Sequence, residues 1–198
     1  MKITIIDSYD SFTHNILSLI KQVDSSIEIQ IIQHDEILKF QSQIKQSNGI
    51  IIAPGQGDPK EYINQHKELK YIYEQIPVFG ICLGFQIIGL LYNSETQKLV
   101  NPRHGEQVEL NIITKDQLFA RINELLRVGL YHSHYVNKIG KSLQVLAKDK
   151  DGIIMAIKHS QFPIYGIQFH AESFLTLRGL DILQNFLIIC YEHLAKNE

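Results

Sequence analysis

Cysteine is scarce in this chain of 198 residues, which contains only Cys82 and Cys190, and tryptophan is missing altogether. Two cysteines are too few for the disulfide framework of a small secreted protein. Long apolar runs are also missing, because no segment has the roughly 18 consecutive apolar residues of a membrane-spanning helix. The first residues lack the apolar stretch of a signal peptide. We therefore expect a cytoplasmic protein with two reduced thiols and no membrane partner.

An excess of charge of either sign is missing too. The chain has 19 lysines and arginines against 21 aspartates and glutamates, which gives a formal net charge of −2. Nucleic-acid-binding surfaces usually carry a clear positive excess, so we expect no nucleic-acid partner. Hydrophobic residues make up 44% of the chain, which is enough for a buried core. Since the sequence has no repeat, low-complexity tract or linker, residues 1–198 are predicted to form one domain.

Short segments rich in isoleucine and valine alternate with longer amphipathic segments in the first half of the chain. Strands are predicted at residues 2–7, 27–32, 49–55 and 78–82. A helix is predicted at residues 11–23, with Asp10 or Ser11 as its N-cap. The later apolar segments are separated mostly by turns, which predicts antiparallel strands, and a last helix is predicted from Phe174 to Leu194. The sequence thus predicts an α/β fold with an open, twisted, mixed but mostly parallel sheet and flanking helices.

The segment from Gly80 to Gly84 has the pattern G-x-C-x-G at a predicted joint between a strand and a helix. In hydrolases, the same pattern around a serine forms a sharp, strained turn that exposes the nucleophile, and the glycines leave room for it. The helix N-terminus would favour the thiolate of Cys82, and the backbone N–H of Leu83 would be free to hold an oxyanion. The pattern alone leaves a packing role for Cys82 equally open. Packing is the prediction for Cys190, which lies in an apolar run.

A base for this thiol is predicted in the segment FHAES, near the end of the chain. His170 and Glu172 are two residues apart at the end of a predicted strand, so both side chains can point to the same side. Cys82 would then attack a carbonyl carbon, His170 would move the proton, and Glu172 would orient His170. A surface pair of His170 and Glu172 is the alternative. The loop APGQGDP could present Gly57 as a second oxyanion donor, or it could be an ordinary turn.

Four segments together resemble the class I, or triad, glutamine amidotransferases. They are APGQGDP, GICLGFQ, YHSHYV and FHAES, in that order along nearly the whole chain. The opening IIDSYDSFTHNI is similar to the glutaminase subunits of anthranilate synthase and aminodeoxychorismate synthase, whose N-termini typically read D-N-Y-D-S-F-T-x-N. The resemblance implies a catalytic triad of Cys82, His170 and Glu172. It also implies positions that bind glutamine or its oxyanion, at Gly55, Gln56, Gly57, Leu83, Gln86, Ser133 and His134.

The resemblance further implies a substrate and a partner. L-glutamine would be hydrolysed to glutamate and ammonia through a thioester on Cys82, and the ammonia would pass to a separate chorismate-binding synthase subunit, component I. Whether that subunit makes anthranilate or aminodeoxychorismate stays open. We predict no cofactor, and no metal either, because no pair of histidines has a convincing metal-ligand spacing.

Two alternative functions stay open beside this one. A free-standing γ-glutamyl hydrolase would use the same nucleophile turn, but the opening DSYDSFT argues against it. A catalytically weak subunit that only steadies a partner is the second alternative, and the complete set of Cys82, His170 and Glu172 argues against that one.

Four residues depart from the family's usual pattern. Gln56 and Ala171 stand where proline is usual, Phe85 replaces a usual histidine, and His134 replaces a usual leucine. None of them belongs to the predicted triad. Phe85 is next to the nucleophile turn, so we expect its ring to pack against the sheet or a partner and to influence the rate or the coupling to that partner.

Overall fold

The computed structural model describes residues 1–122 and 125–197 of the chain. The strands are β1 (Lys2–Ser8), β2 (Glu28–Gln33), β3 (Gly49–Gly55), β4 (Val78–Ile81), β5 (Glu95–Ile112), β6 (Leu126–Lys138), β7 (Leu143–Asp149), β8 (Ile154–His159) and β9 (Ile164–Ile167). The helices are α1 (Thr13–Val23), α2 (Gln41–Lys45), α3 (Pro59–Glu68), α4 (Lys70–Tyr73), α5 (Leu83–Leu91) and α6 (Gly179–Asn197). Within the two described ranges, no helix is both long and apolar enough to cross a membrane.

These strands form one sheet in the order β2-β1-β3-β4-β9-β8-β7-β5-β6. The pairings β1–β2, β1–β3, β3–β4 and β4–β9 are parallel. The pairings β5–β6, β5–β7, β7–β8 and β8–β9 are antiparallel. The predicted α/β fold with a mixed sheet and flanking helices is confirmed. Parallel pairings account for half of the sheet rather than most of it, because the chain after α5 pairs through turns instead of helical crossovers.

Buried clusters cover both faces of the sheet. The residues of β3 belong alternately to one cluster and to the other. Ile50 and Ile52 belong to one buried cluster together with Phe85 of α5. Ile51 belongs to a second cluster together with Phe186 of α6. Successive side chains of a strand point to opposite faces, so a continuously apolar strand such as β3 needs cover on both sides. The central strands are therefore held rigidly between two apolar layers.

The parallel strands β1, β3, β4 and β9 end at one edge of the sheet. The segments that follow them carry Phe12, Gly57, Cys82 and His170. Open α/β sheets bind their ligands in the crevice outside the carboxyl ends of parallel strands. The topology thus brings together four segments that are far apart in the sequence, and the candidate site lies there.

The predicted N-caps of α1 are wrong. The helix begins at Thr13, and the N-cap position belongs to Phe12, whose backbone already has helical angles and whose side chain makes no capping bond. Asp10 instead accepts a hydrogen bond from the backbone N–H of Phe12 over 2.8 Å. This carboxylate therefore closes the turn before the helix rather than the helix itself, because Asp side chains readily bond backbone two residues on.

The predicted start of the last helix at Phe174 is also wrong, because α6 begins at Gly179. The intervening segment forms turns that are tied to the end of the sheet. The hydroxyl of Thr176 donates to the carbonyl oxygen of His170 over 2.6 Å and accepts from the backbone N–H of Gly129 over 2.9 Å. These tertiary bonds outweigh the local helical pattern. Phe174 is left 86% exposed.

Candidate active site

Cys82 stands directly between β4 and α5, at the N-cap of the helix. Its φ of 53° lies in the left-handed region, which is unusual for a residue with a side chain and indicates local strain. A Cβ atom at Gly80 would lie 2.5 Å from the backbone of Gly84, and one at Gly84 would overlap the carbonyl oxygen of Ile52. The predicted strain at Cys82 and the predicted need for both glycines are confirmed.

His170 and Glu172 form a buried hydrogen bond at the same edge of the sheet. The Nδ1–H of His170 donates to Oε1 of Glu172 over 2.6 Å, and both side chains are almost fully buried. The alternative of a surface pair is therefore excluded. The bond fixes the ring orientation and leaves Nε2 of His170 buried, without a hydrogen-bond partner among the described residues.

The charge of His170 is set by two acidic neighbours. Burial by itself lowers the pKa of His170, but the interaction with the sulfur of Cys82, followed by that with Glu172, raises it well above its ordinary value. A raised pKa favours the imidazolium at neutral pH. An imidazolium beside a cysteine stabilises the thiolate, which is the nucleophilic form. The raised pKa of His170 is thus what a histidine paired with a nucleophilic thiol requires.

Two aromatic rings hold the imidazole of His170 from its sides. The ring centroid of Phe12 lies 5.2 Å from that of His170, and the centroid of Tyr131 lies 5.1 Å from it, both in edge-to-face geometry. The rings of Phe12 and Tyr131 also contact each other, with centroids 5.3 Å apart. The sequence motifs gave neither residue a catalytic or substrate-binding role, although both lie in the segments that carry the family resemblance. These contacts keep the imidazole from tilting away from Glu172.

A cavity of about 370 Å³ lies at Cys82 and His170. Small-molecule sites usually measure about 300–1,000 Å³. Most of the predicted site residues line it, namely Gly55, Gln56, Gly57, Cys82, Gln86, Ser133, His134 and His170. Of the other two, Glu172 lies behind His170, and the side chain of Leu83 is buried in the core. Its lining also includes residues without a predicted catalytic or substrate-binding role, namely Asp10, Ser11, Phe12, His104, Tyr131 and His132.

Comparison with known protein families shows which family this chain belongs to. The sequence profile of the family "Glutamine amidotransferase class-I" matches residues 4–190. This chain belongs to the class-I glutamine amidotransferases. The resemblance read from the four motifs is confirmed, and the protein is an enzyme of the amidotransferase type.

Individual relatives of this amidotransferase point to two synthases. Anthranilate synthase component 2 of Cyanidium caldarium is 36% identical over 196 residues, which cover 96% of this chain and 99% of the relative. A Schizosaccharomyces pombe protein with the provisional name aminodeoxychorismate synthase is 36% identical over 191 residues, covering 94% of this chain but only 26% of the relative. A crystal structure of a provisionally assigned GMP synthase component from Thermoplasma acidophilum superposes with a TM-score of 0.88. It shares 23% identity and covers 100% of this chain and 97% of its own, which shows the common fold.

Two backbone N–H groups of this amidotransferase belong to the residues that were predicted to hold an oxyanion, Leu83 and Gly57. Leu83 is the first residue of α5, so its N–H has no carbonyl partner within the helix. Gly57 has a φ of 90° and lines the cavity. The carbonyl oxygen before it, on Gln56, accepts a hydrogen bond from the hydroxyl of Tyr62 over 2.8 Å. In a trans peptide the C=O and N–H groups point in opposite directions, so this bond turns the Gly57 N–H away from Tyr62.

The carbonyl oxygen of His134 is held by two donors on the opposite wall of the cavity. Nε2 of Gln86 and Nδ1 of His132 each donate to it over 2.8 Å. Burial lowers the pKa of His132 to about 4, so its ring is neutral and the Nδ1–H tautomer is fixed by the carbonyl. The backbone around Ser133 and His134 is thus fixed in place by side chains from α5 and β6.

The four departures from the family pattern fall into two groups. Gln56 and His134 line the cavity, whereas Phe85 and Ala171 are buried outside its lining. The ring of Phe85 packs so closely over Gly166 that a Cβ atom there would lie 3.0 Å from Cδ2 of Phe85. The expectation that Phe85 packs against the sheet is therefore confirmed. Only the first two departures can contact a ligand in this cavity directly.

Potential metal ligands are scattered rather than clustered in the described parts of the chain. In residues 1–122 and 125–197, no group of three or more histidine, cysteine, aspartate or glutamate side chains is arranged to hold a metal ion.

Proposed function

We propose that this amidotransferase hydrolyses L-glutamine to glutamate and ammonia with Cys82, His170 and Glu172, and that it delivers the ammonia to a chorismate-binding synthase subunit. The observation that carries the proposal is the buried 2.6 Å hydrogen bond between His170 and Glu172, in a site where Cys82 and His170 line one cavity. The full-length similarity to an anthranilate synthase component 2 supports the choice of glutamine and of the synthase.

The first half of the reaction forms a thioester. The thiolate of Cys82 attacks the carboxamide carbon of glutamine, and the carbonyl oxygen becomes an oxyanion that the N–H groups of Leu83 and Gly57 can hold. The imidazolium of His170 gives its Nε2 proton to the amide nitrogen. The carbon–nitrogen bond then breaks, ammonia leaves, and a γ-glutamyl thioester stays on Cys82.

The second half of the reaction restores the thiolate. Neutral His170 takes a proton from a water molecule, whose oxygen attacks the thioester carbon. The carbon–sulfur bond breaks, glutamate leaves, and the imidazolium again faces the thiolate of Cys82. Glu172 keeps its hydrogen bond to Nδ1 throughout, so it stabilises the charged ring without exchanging a proton.

The amino-acid end of glutamine would lie against the wall made by Gln86 and the backbone of Ser133 and His134. All three residues line the cavity. The two hydrogen bonds that hold the carbonyl oxygen of His134 make this wall rigid before substrate arrives. A rigid wall lowers the entropy lost on binding and fixes the distance from the amino-acid end to Cys82.

The segment 8–12 is the proposed docking surface for the synthase subunit. Tyr9 is 67% exposed and has a left-handed φ of 60°. Three residues further on, Phe12 contacts the ring of His170. A partner that presses on Tyr9 can therefore reach the imidazole through Phe12 and close the cavity mouth against water.

The experiment measures glutamate release by the purified chain alone, with an anthranilate synthase component I, and with an aminodeoxychorismate synthase component I. We expect weak activity alone and a rise of at least about tenfold, roughly 1.4 kcal/mol of barrier, with the cognate subunit. Full activity that no synthase changes would favour the free-standing γ-glutamyl hydrolase. No glutamate release under any condition would favour the interaction subunit, and stimulation by both synthases would assign the chain to both.

Two further parts of the proposal concern the chain as a whole. Residues 1–198 are proposed to act as one amidotransferase domain, and the family match over residues 4–190 supports this. The cytoplasm stays the predicted compartment, and the two free, buried cysteines are in keeping with a reducing environment. Cell fractionation with an antibody to the protein would test it.

A further inference from the structure

Gln168 lies two residues before His170 and is completely buried, yet it belongs to neither the proposed triad nor the cavity lining. A buried amide needs partners for its donor and acceptor groups. Its carbonyl oxygen Oε1 accepts from Nε2 of Gln86 over 3.1 Å, and its own Nε2 lies 3.8 Å from Sγ of Cys82. That distance is within the range of a hydrogen bond to sulfur. The amide of Gln168 therefore connects a cavity wall to the sulfur of Cys82.

The orientation of this amide is fixed by its neighbours. The two hydrogens of Gln86 Nε2 go to the carbonyl oxygen of His134, over 2.8 Å, and to Oε1 of Gln168. A flipped Gln168 would place two NH₂ groups against each other and would point a carbonyl oxygen at the sulfur of Cys82. Only the observed orientation satisfies both contacts, so an N–H of Gln168 is directed at Sγ.

We propose that Gln168 is a positioning residue, whose amide is oriented by Gln86 and donates a hydrogen bond that stabilises and aims the thiolate of Cys82. The proposal rests on the proposed glutaminase function for its effect on turnover. Sulfur is a weak acceptor as a thiol and a much stronger one as a thiolate, so the bond favours the ionised form. Since Gln86 also holds the carbonyl oxygen of His134, the position of the sulfur is linked to the wall where the amino-acid end of glutamine is proposed to lie.

The test uses Gln168→Met and Gln168→Glu, with Asn185→Leu as a matched control. Methionine keeps the length of the side chain and removes the N–H donor. Glutamate keeps the shape of the amide and places a carboxyl oxygen against the sulfur. Asn185 is a second buried amide, whose Nδ2 donates to the carbonyl oxygens of Leu118 and Ala120 and which lies outside the cavity. Its replacement removes a buried polar group at a place that does not touch Cys82.

The main readout is the rate at which iodoacetamide alkylates Cys82 as a function of pH, with the label located by peptide mass spectrometry. The midpoint of this profile reports thiolate formation. We expect it to move to higher pH by about one unit in Gln168→Met, and further in Gln168→Glu, as expected for loss of a charge-assisted hydrogen bond. Asn185→Leu should keep the midpoint of the unmodified protein, even if its melting temperature falls.

Steady-state kinetics with the cognate synthase subunit give the second readout. The kcat for glutamate release should fall by about tenfold or more in both Gln168 variants, while KM for glutamine changes less. Unchanged alkylation midpoints in both variants would overturn the proposal, whatever happens to kcat. A shifted midpoint in a chain that never releases glutamate would refute the glutaminase function and leave the contact of Gln168 with the thiolate standing.

Discussion

The carboxyl edge of the sheet and the interior beneath α6 each bury one free cysteine, but they surround it differently. Cys82 stands in a strained turn, with His170 lining the same cavity and the amide of Gln168 3.8 Å from its sulfur. Cys190 packs against Gly49 within the apolar core, where burial raises its pKa. The comparison indicates that burial alone decides little about a thiol. The polar groups that accompany it decide whether the thiolate is stabilised.

Two buried histidines, His170 and His66, show a similar contrast in their neighbours. At the sheet edge, the acidic neighbours Cys82 and Glu172 outweigh burial and raise the pKa of His170. Away from that edge, Nδ1 of His66 lies 2.7 Å from the hydroxyl of Tyr73, and burial lowers the pKa of His66 to about 3. Since both rings are buried, the neighbouring acids explain the opposite directions.

The strongest test of the comparison exchanges each sulfur for oxygen. Cys82→Ser should lower glutamine-dependent glutamate release by more than about a thousandfold, because a serine in this site lacks the thiolate on which the reaction depends. The assembled complex should still use added ammonium, since the acceptor would bind on the other subunit. Cys190→Ser is the matched control and should keep kcat within about threefold, with any cost seen as a lower melting temperature. Retained glutaminase activity in Cys82→Ser would show that Cys82 is not the nucleophile, and the functional difference between Cys82 and Cys190 would then be refuted.

The next largest effect is expected at the acid and base. His170→Ala should lower kcat by about 10²–10⁴-fold, which is the usual contribution of a general base. Glu172→Gln should cost less, because the ring keeps a hydrogen-bond partner and loses only the stabilising charge. Both values come from glutamate release by the complex, with ammonium-dependent synthesis as the control for correct assembly. A larger loss in Glu172→Gln than in His170→Ala would reverse the assigned roles.

Sequence reasoning succeeded where the relevant physics is local. The turn around Cys82 needs glycine on both sides within five residues. His170 and Glu172 are two residues apart, although β9 ends at Ile167 and Glu172 lies in a turn rather than on the predicted strand. In both cases residues within a few positions of one another set the geometry, so a short motif contains the information.

Sequence reasoning failed where distant contacts set the structure. α6 starts late because Thr176 bonds the carbonyl oxygen of His170 and the N–H of Gly129, which is 47 residues away. Likewise, the link between Gln168 and Cys82 spans 86 residues and depends on the register of β9 against β4. No single-sequence pattern indicates that the amide of Gln168 meets the sulfur of Cys82.

Acid should affect the stability contributed by His170 differently from that contributed by two other buried histidines, His66 and His132. Between about pH 6.5 and the lowered values of about 3 for His66 and about 4 for His132, the unfolded chain binds protons that the folded chain does not. Stability should therefore fall with falling pH by up to about 1.4 kcal/mol per pH unit for each of these two histidines. His170 has the opposite sign, since its contribution is complete below about pH 6.5 and is lost as pH rises through its raised pKa.

Urea unfolding at several pH values checks this difference. His66→Gln should be less stable near neutral pH but should show a smaller slope of unfolding free energy against pH between about 4 and 6, because one of the two neutral rings is gone. Equal slopes for His66→Gln and the unmodified protein would mean that the burial of His66 does not govern its protonation.

The smallest expected effect on function is that of a substitution at Phe85, which is adjacent to Gln86 in α5. Phe85 is fully buried in the core, whereas Gln86 lines the cavity and bonds the carbonyl oxygen of His134. Phe85→His should lower the free energy of unfolding by about 1–3 kcal/mol, because a polar ring nitrogen would be buried against Gly166. Its KM for glutamine should change by less than about tenfold, or 1.4 kcal/mol, since no atom of the cavity wall is replaced.

Gln86→Leu should raise KM for glutamine more than Phe85→His does and should lower the free energy of unfolding less. The reason is that the carbonyl oxygen of His134 loses one of its two hydrogen-bond donors. A change in KM for Phe85→His as large as that for Gln86→Leu would show that the buried layer under α5 shapes the glutamine site as strongly as the cavity wall does.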